Sequence, residues 1–326
     1  MPKLFFIIKE NPYFLTVIII VSLILGLALG LIVSREDEKV QQSEKHVPGY
    51  TYISPLLECY SNKSDSPENN KLKNKIEYLL TTEIREKKIT EASVYFRDLA
   101  NGPWIGINEN KEFTPASLLK VPILITYYKM AENNPEILKQ LILTDAANQG
   151  FTTPNIRPAK TIEVGKKYSV EELLEAMIIQ SDNFAANTLL SKLSEEGFAK
   201  IFNDLGLSYP NIYKTEDFMS VKDYASFFRI LYNASYLDKF YSEKALKLLA
   251  SSEFNLGLTA GLPENIEIAH KFGERKNNDI EQLHDCGIIY KQNKDYLLCV
   301  MTRGTDFDNL ADVISDISKL VYENVN

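Results

Sequence analysis

Residues 113–128 read Phe113-Thr114-Pro115-Ala116-Ser117-Leu118-Leu119-Lys120-Val121-Pro122-Ile123-Leu124-Ile125-Thr126-Tyr127-Tyr128. Proline pre-sets a helical φ and has no N–H to leave unpaired, so Pro115 marks a helix start. The helix that follows is apolar on most sides, which predicts a central position rather than a surface one. Ser117 and Lys120 stand three apart and share a face, with the Lys120 amine beside the Ser117 hydroxyl. The Ser117 amide falls in the first turn, where backbone N–H groups have no helical partner. A nucleophile, a base for it and half of an oxyanion hole therefore coincide. This is the chain's one Ser-x-x-Lys, but so short a pattern also describes an ordinary surface lysine.

Outward from this helix the pattern changes on both sides. Leu72, Ile76, Leu79, Leu80 and Ile84 form a one-faced helical stripe, followed by strand-like alternation at Val94 and Phe96 and a short strand from Trp104 to Ile107. On the far side, Ile266 to Lys271, Cys286 to Tyr290 and Tyr296 to Met301 read as strands, and Leu310, Val313, Ile314, Ile317, Leu320 and Val321 line a terminal helix. Between about 116 and 250 nearly everything reads as helix. The order predicts an α+β fold: an antiparallel five-stranded sheet flanked by terminal helices, with an all-helical lobe inserted and a cleft at the junction.

Two more motifs fall at that junction. Ser181-Asp182-Asn183 follows an amphipathic helix carrying Leu173, Leu174, Met177 and Ile178. These residues suit a cap for the next helix, and they also offer a hydroxyl to relay a proton and an amide to hold a substrate. His270-Lys271-Phe272-Gly273 closes the strand from Ile266. Alternation sends Lys271 and His270 to opposite faces, so the two do not serve one cleft, and His270 reads as a hydrogen-bonded histidine under the sheet. Gly273 permits close approach to the strand backbone.

The 326 residues, 45% apolar and 25% charged, describe a folded chain. A net charge of -8 disfavours a nucleic-acid partner, which needs a clustered basic surface. Three histidines and Cys59, Cys286 and Cys299 show no zinc-site spacing, so no metal and no cofactor are expected. Cys286 and Cys299 can meet across a hairpin turning at Gln292-Asn293-Lys294, or remain buried thiols. His284 and Cys286, two apart on a strand, read as ordinary strand residues in the absence of further ligands.

At the other end, residues 13–33 are 21 residues without a charge, long enough for a membrane-spanning helix and longer than the apolar core of a cleaved signal. The expectation is a short stub over 1–12, an anchor over 13–33, a polar tether over 34–70 with an apolar island at Tyr50 to Leu57, and the globular domain over 71–326. The charges flanking the anchor nearly tie, so orientation does not follow from them.

The three motifs occur in order, with 64 residues from Ser117 to Ser181 and 90 more to Lys271. Ser-x-x-Lys, Ser-Asp-Asn and Lys-[Thr/Ser]-Gly in that order resemble the class A beta-lactamase-related serine hydrolases, the superfamily that includes the penicillin-binding proteins. The resemblance runs from about Lys71 to the end and includes the Phe113-Thr114-Pro115-Ala116 lead-in and a Gly-Ile-Ile after the third motif. It implies the beta-lactamase/transpeptidase-like fold and an acyl-enzyme at Ser117. Lys120 would take the Ser117 proton, Ser181 would pass one to the leaving nitrogen, and Asn183 would hold the acyl side chain. Lys271 would attract the substrate carboxylate, and the backbone amides of Ser117 and Glu274 would hold the oxyanion. The implied substrate is a beta-lactam or a peptidoglycan-like peptide, and the implied location is membrane-bound with the catalytic domain outside the cytoplasm.

The departures from that pattern carry expectations of their own. No Glu followed four residues later by Asn occurs between Asn183 and Ser220. Glu195 and Glu196 read as helix-surface residues, which leaves Glu216 as the candidate deacylation base and predicts slow release of the acyl group. Phe272 replaces the hydroxyl residue of Lys-[Thr/Ser]-Gly, removing a donor worth about 1.5–3 kcal/mol to a bound carboxylate. His284 and Asp285 are candidate substitutes for that contact. Alternatives to the hydrolase are a D-Ala-D-Ala carboxypeptidase or other peptidase or esterase, and a non-catalytic ligand-binding or sensor domain.

Overall fold

The computed structural model describes residues 13, 19–26, 45–46, 48–58, 67–99, 102–148, 155–156, 160–209, 217–292 and 294–325. Residues 1–42 and 43–326 form two separate units. In the first, residues 13 and 19–26 are helical. Among the described residues no helix is long and apolar enough to cross a membrane, and most of the expected anchor over 13–33 lies outside them.

The second unit is built on a sheet of five strands: β1 (Glu91–Asp98), β2 (Trp104–Ile107), β3 (Glu267–Asn277), β4 (Ile280–Tyr290) and β5 (Tyr296–Gly304). They lie in the order β2-β1-β5-β4-β3, every neighbouring pair antiparallel. Alternate residues of a strand point to opposite faces, so each central strand feeds two cores. Val94, Phe96, Leu298 and Val300 meet Leu72, Ile76 and Leu80 of α1 (Pro67–Arg85) and Val313, Ile314, Ile317 and Val321 of α8 (Phe307–Asn324). Tyr95, Ile288, Leu297 and Met301 join a second cluster with the inserted helices. These are α2 (Lys120–Asn133), α3 (Val170–Ile179), α4 (Asn183–Leu190), α5 (Glu195–Asp204), α6 (Val221–Tyr232) and α7 (Lys239–Leu249). The fold is α+β, with the expected five-stranded sheet, terminal helices and inserted lobe.

Three details differ from the sequence reading. First, β3 and β4 run further, to Asn277 and from Ile280, because backbone pairing and a cross-strand Lys276–Glu281 ion pair hold Glu274–Asn277 against Ile280–Leu283 where no apolar alternation announces a strand. The intervening turn uses Asn278 at φ 53, a left-handed conformation that asparagine tolerates. Second, the inserted lobe is not purely helical. It holds a ribbon of Leu141–Leu143 with Lys167–Ser169, and Glu112–Phe113 pairs with Met219–Ser220 at its root.

Third, the expected tether over 34–70 is not free across its length. The α1 helix starts at Pro67, and residues 50–55 dock on the domain. Ile53 is buried in the lobe-side core. The backbone amides of Thr51, Tyr52 and Ile53 all donate to the Glu243 carboxylate at 3.0–3.2 Å, and Ser54 N donates to Tyr232 O at 2.7 Å. Tyr52 adds a hydroxyl bond to Glu267 at 2.6 Å and an edge-on contact with Tyr290. Three convergent N–H donors on one carboxylate make a strong charge-assisted set, which adds to the burial of Ile53 in holding this apolar island of the expected tether on the domain. On the sheet, Cys286 and Cys299 stand directly opposite each other on β4 and β5 and are joined as a disulfide.

Candidate active site

Ser117 sits on a 3-10 turn, Ala116–Leu119, and α2 proper begins at Lys120. The tighter turn has three residues per revolution, so Ser117 and Lys120 are brought into closer alignment than an α-helical turn would give. Ala116 enters the turn at φ 49, a left-handed conformation that costs an alanine free energy and is held by its surroundings. Those surroundings are side chains from distant elements. His284 Nε2 bonds Thr114 O at 3.0 Å, Gln282 Oε1 accepts from Thr114 N at 3.1 Å, and Thr114 Oγ1 donates to Asp217 at 2.8 Å. Arg303 pairs with both Asp217 and Glu91 and lies 5.0 Å from the Phe113 ring centre. Tyr224 completes the frame with a hydroxyl bond to Leu118 O at 3.0 Å.

Where the Ser117 turn passes into α2, three side chains converge. Lys120 is 4% exposed, and its amine donates to Ser181 O at 2.6 Å, Asn183 Oδ1 at 2.7 Å and Ser181 Oγ at 3.0 Å. Lys271, fully buried, donates to the same Ser181 Oγ at 2.9 Å and to Phe272 O at 3.0 Å. Ser181 thus bridges two lysine amines that lie 151 positions apart in sequence. It adopts φ 54 to do so, in the short link between α3 and α4. The neighbouring Asp182 caps α4, accepting from Ala185 N at 2.9 Å, and also takes Ile162 N at 3.1 Å. The Ser-Asp-Asn segment is therefore both a helix cap, through Asp182, and a site element, through Ser181 and Asn183.

Burial depresses both lysines. The Lys120 amine falls from 10.5 to about 7, burial outweighing the opposite pull of Asp182 and Glu274. Lys271 falls well below its ordinary value, first through burial and then through the charge of Lys120 beside it. A neutral Lys120 keeps two N–H donors, enough for Ser181 O and Asn183 Oδ1, and carries one lone pair that can take a proton.

Gly273 explains how the strand reaches the nucleophile. A Cβ built there would lie 2.5 Å from Pro115 O and 3.0 Å from Leu118 N. The close approach it permits is that of the Ser117 turn, not only of a ligand. β3 is an edge strand, so Glu274, the next residue, stands where the sheet ends beside this turn. The Glu274 carboxylate accepts from Asn155 N and Ile156 N at 3.0 and 3.1 Å, and burial raises its pKa.

Other expected site residues lie elsewhere. His284 is fully buried against Thr114 and Phe113, and burial pushes its imidazole down to about 4. Asp285, also fully buried, points to the opposite face, where it bonds His270 at 2.9 Å and accepts from Leu258 N. Neither has surface to offer a substrate, so the substitute contact expected of them is corrected: both are structural supports. Phe272 stacks on Phe254 at 4.0 Å, with the Lys271 amine 4.1 Å from its ring centre. The ring covers an amine that was expected to meet a carboxylate. Asn183 is engaged with Lys120, and Glu195 and Glu196 are exposed on α5. Glu216 lies outside the described residues. Among the described residues no group of three or more metal-ligating side chains converges. The Thr114, Asp217, Gln282 and Arg303 support was not legible in sequence, since its members lie 21 to 189 positions apart with no local pattern linking them.

A serine on a turn at the lobe junction, backed by two buried lysines that share one hydroxyl, on this sheet and lobe, defines a serine beta-lactamase-like hydrolase. The chain matches the profile of the beta-lactamase enzyme family over residues 71–325 and belongs to that family. Its fold is similar to that of a mutant of PBP-A solved as an acyl-enzyme with penicillin G, at 22% identity and TM-score 0.66, covering 78% of this chain and 96% of that one. A beta lactamase from Xanthomonas campestris pv. campestris matches at 20% identity and TM-score 0.67, covering 78% and 99%. A class A beta-lactamase from Mycobacterium abscessus matches at 18% and 0.66, covering 77% and 98%. No curated protein matches the chain.

Proposed function

We propose that the protein is an acyl-transfer hydrolase in which Ser117 is acylated by a beta-lactam or a related amide. The observation that carries this reading is the hydrogen-bonded row of Lys120, Ser181 and Lys271 beside the Ser117 turn, with Lys120 lowered to about 7. In the neutral form the Lys120 amine takes the Ser117 proton as Oγ bonds to the carbonyl carbon. The tetrahedral oxyanion is stabilised by the amides of Ser117 and Glu274. When it collapses the C–N bond breaks, and the proton passes from Lys120 through the Ser181 hydroxyl to the leaving nitrogen. Ser181 is suited to the relay because it is within 3.0 Å of both amines. Lys271 then acts by polarising Ser181 rather than by meeting a substrate carboxylate directly.

Release of the acyl group needs a base aimed at a water. No carboxylate among the described residues between Asn183 and Ser220 fills that role: Asp204 bonds Lys200 and Tyr236 at the surface, and Asp217 is held by Arg303, Thr114 and Gln282. The missing Glu-x-x-x-Asn motivates a second reading, in which the acyl-enzyme is long-lived and the enzyme is a peptidase of the D-Ala-D-Ala carboxypeptidase type. We also propose that segment 13–33 anchors the protein with the domain outside the cytoplasm, a compartment that suits the Cys286–Cys299 disulfide. The test of the first proposal is intact mass of residues 43–326 during incubation with a penicillin, beside Ser117→Ala. An adduct that requires Ser117 and clears as hydrolysed drug appears supports the beta-lactamase reading. A persistent adduct supports the peptidase reading, and no Ser117-dependent adduct refutes both. A reporter fused after residue 326 that is active only in the cytoplasm would refute the orientation.

A further inference from the structure

The strand edge that carries Gly273 and Glu274 is tied to the inserted lobe across the cleft. Two points hold the chain on the lobe side: Asn187 Nδ2 donates to Asn148 O at 3.0 Å, and Ile162 N donates to Asp182 at 3.1 Å, with Ile162 buried in the lobe-side core. Residues 155–156 lie between these anchors in sequence, yet they are held on the sheet. Asn155 N and Ile156 N donate to the two carboxyl oxygens of Glu274 at 3.0 and 3.1 Å, and Asn155 Nδ2 donates to Glu281 at 3.2 Å. Ile156 packs on the sheet-side core, a different cluster from the one that takes Ile162. A carboxyl accepts from amides whether or not it carries a proton, so these bonds survive the upward shift that burial gives Glu274. Glu281 is itself fixed by Lys276 across the β3–β4 pair at 2.5 Å. Lobe and sheet are thus joined one residue beyond the glycine that packs on Pro115 and Leu118.

We propose that this crossing is a size filter for the acyl donor: the contact of Glu274 with Asn155 and Ile156 bars bulky groups from the space between β3 and the lobe, so the site favours donors with a slim acyl side chain. The inference rests on the acylation of Ser117. In that reading the carbonyl oxygen lies between the amides of Ser117 and Glu274, and Asn183, on the lobe, holds the acyl side chain. The side chain therefore leaves the reacting carbon between the same two walls that the crossing joins. A bulky group there meets residues 155–156, which cannot yield without giving up three hydrogen bonds and the packing of Ile156. Such selection acts on which donor reaches Ser117 and leaves the chemistry of Lys120 and Ser181 unchanged.

The test measures, on the full chain, the rates at which benzylpenicillin and nafcillin add their mass to Ser117. The two carry the same carboxylate and differ in the bulk of the aryl group on the acyl side chain. Benzylpenicillin is expected to acylate faster. The ratio of the two rates is expected to fall roughly ten-fold in Glu274→Ala, which keeps the backbone amide and removes both acceptors. Ile156→Pro removes one donor from the other side of the crossing and is expected to lower the ratio in the same direction. The double variant should fall no further than Glu274→Ala alone, because the two changes break one contact. Both penicillins sample the same folded fraction, so partial unfolding of a variant cancels in the ratio. A wild type that takes nafcillin as fast as benzylpenicillin, a ratio lowered in only one of the single variants, or two rates that fall in step overturns the proposal while leaving Ser117 as the nucleophile. If neither penicillin labels Ser117, the acylation reading fails and this inference with it.

Discussion

Replacing Lys120 with methionine separates the energetic cost of the buried amine from its chemical use. Burial moves the amine from 10.5 to about 7, which corresponds to ~5 kcal/mol of preference for the neutral form in the folded state. The unfolded chain holds the proton up to its ordinary pKa, so between these two values it binds more protons than the folded protein. Stability therefore rises with pH across that window. From pH 7 to pH 9.5 this single group should make the wild type more stable by about 3 kcal/mol relative to a variant lacking it. The charge of Lys120 also lowers Lys271, and removing it adds a smaller change in the same direction. The methionine variant loses three hydrogen bonds to Ser181 and Asn183, which shifts its stability by an amount that does not depend on pH over this range. The measurement is urea unfolding of wild type and Lys120→Met at both pH values, taking the change in their difference. A gap that stays constant within about 0.5 kcal/mol would show that Lys120 titrates normally, and the base assigned to Ser117 would be lost with it.

The remaining predictions test neighbouring parts of the same structure. The rate of Ser117 acylation should rise with pH through about 7 as Lys120 loses its proton; a rate that is flat from pH 6 to 8 argues against Lys120 as the base. Gly273→Ala places a methyl 2.5 Å from Pro115 O and should lower the acylation rate by at least about ten-fold, with a loss of ~1–3 kcal/mol in stability. Wild-type rates in that variant would mean the strand and the nucleophile turn are not in contact. Ile53→Ala should cost roughly 2–4 kcal/mol and expose the 48–58 segment to limited proteolysis; unchanged stability and protection would return that segment to the status of a tether.

The outline of this protein was legible because its signals are local. The apolar stripes of α1 and α8, the alternation in β1 and the run from Val121 to Tyr128 each report burial over a few turns, and burial fixes which face turns inward. Lys271 and His270 could be sent to opposite faces from alternation alone, and they are: one bonds Ser181, the other Asp285. Charged and polar segments were harder, because their partners are distant. The apolar island at residues 50–57 stands out within the expected tether, but its docking depends on Glu243, which collects the amides of residues 51–53, and Glu274–Asn277 show no strand pattern until β4 pairs with them.

Sequence by itself therefore determined the α+β order and the ends of the helical insertion, and it marked Ser117, Lys120, Ser181 and Lys271 as the candidate site. Apolar periodicity and a spaced set of polar residue types are properties of one chain read in one dimension. Only the tertiary structure decided what those residues touch. It gave Ser181 two amines, assigned His284 and Asp285 to support and covered Lys271 with Phe272. It also set Glu274 at the open edge of the sheet. Hydrogen bonding and pKa depend on burial and on distances of a few ångströms, and elements far apart in the chain set those distances when they pack.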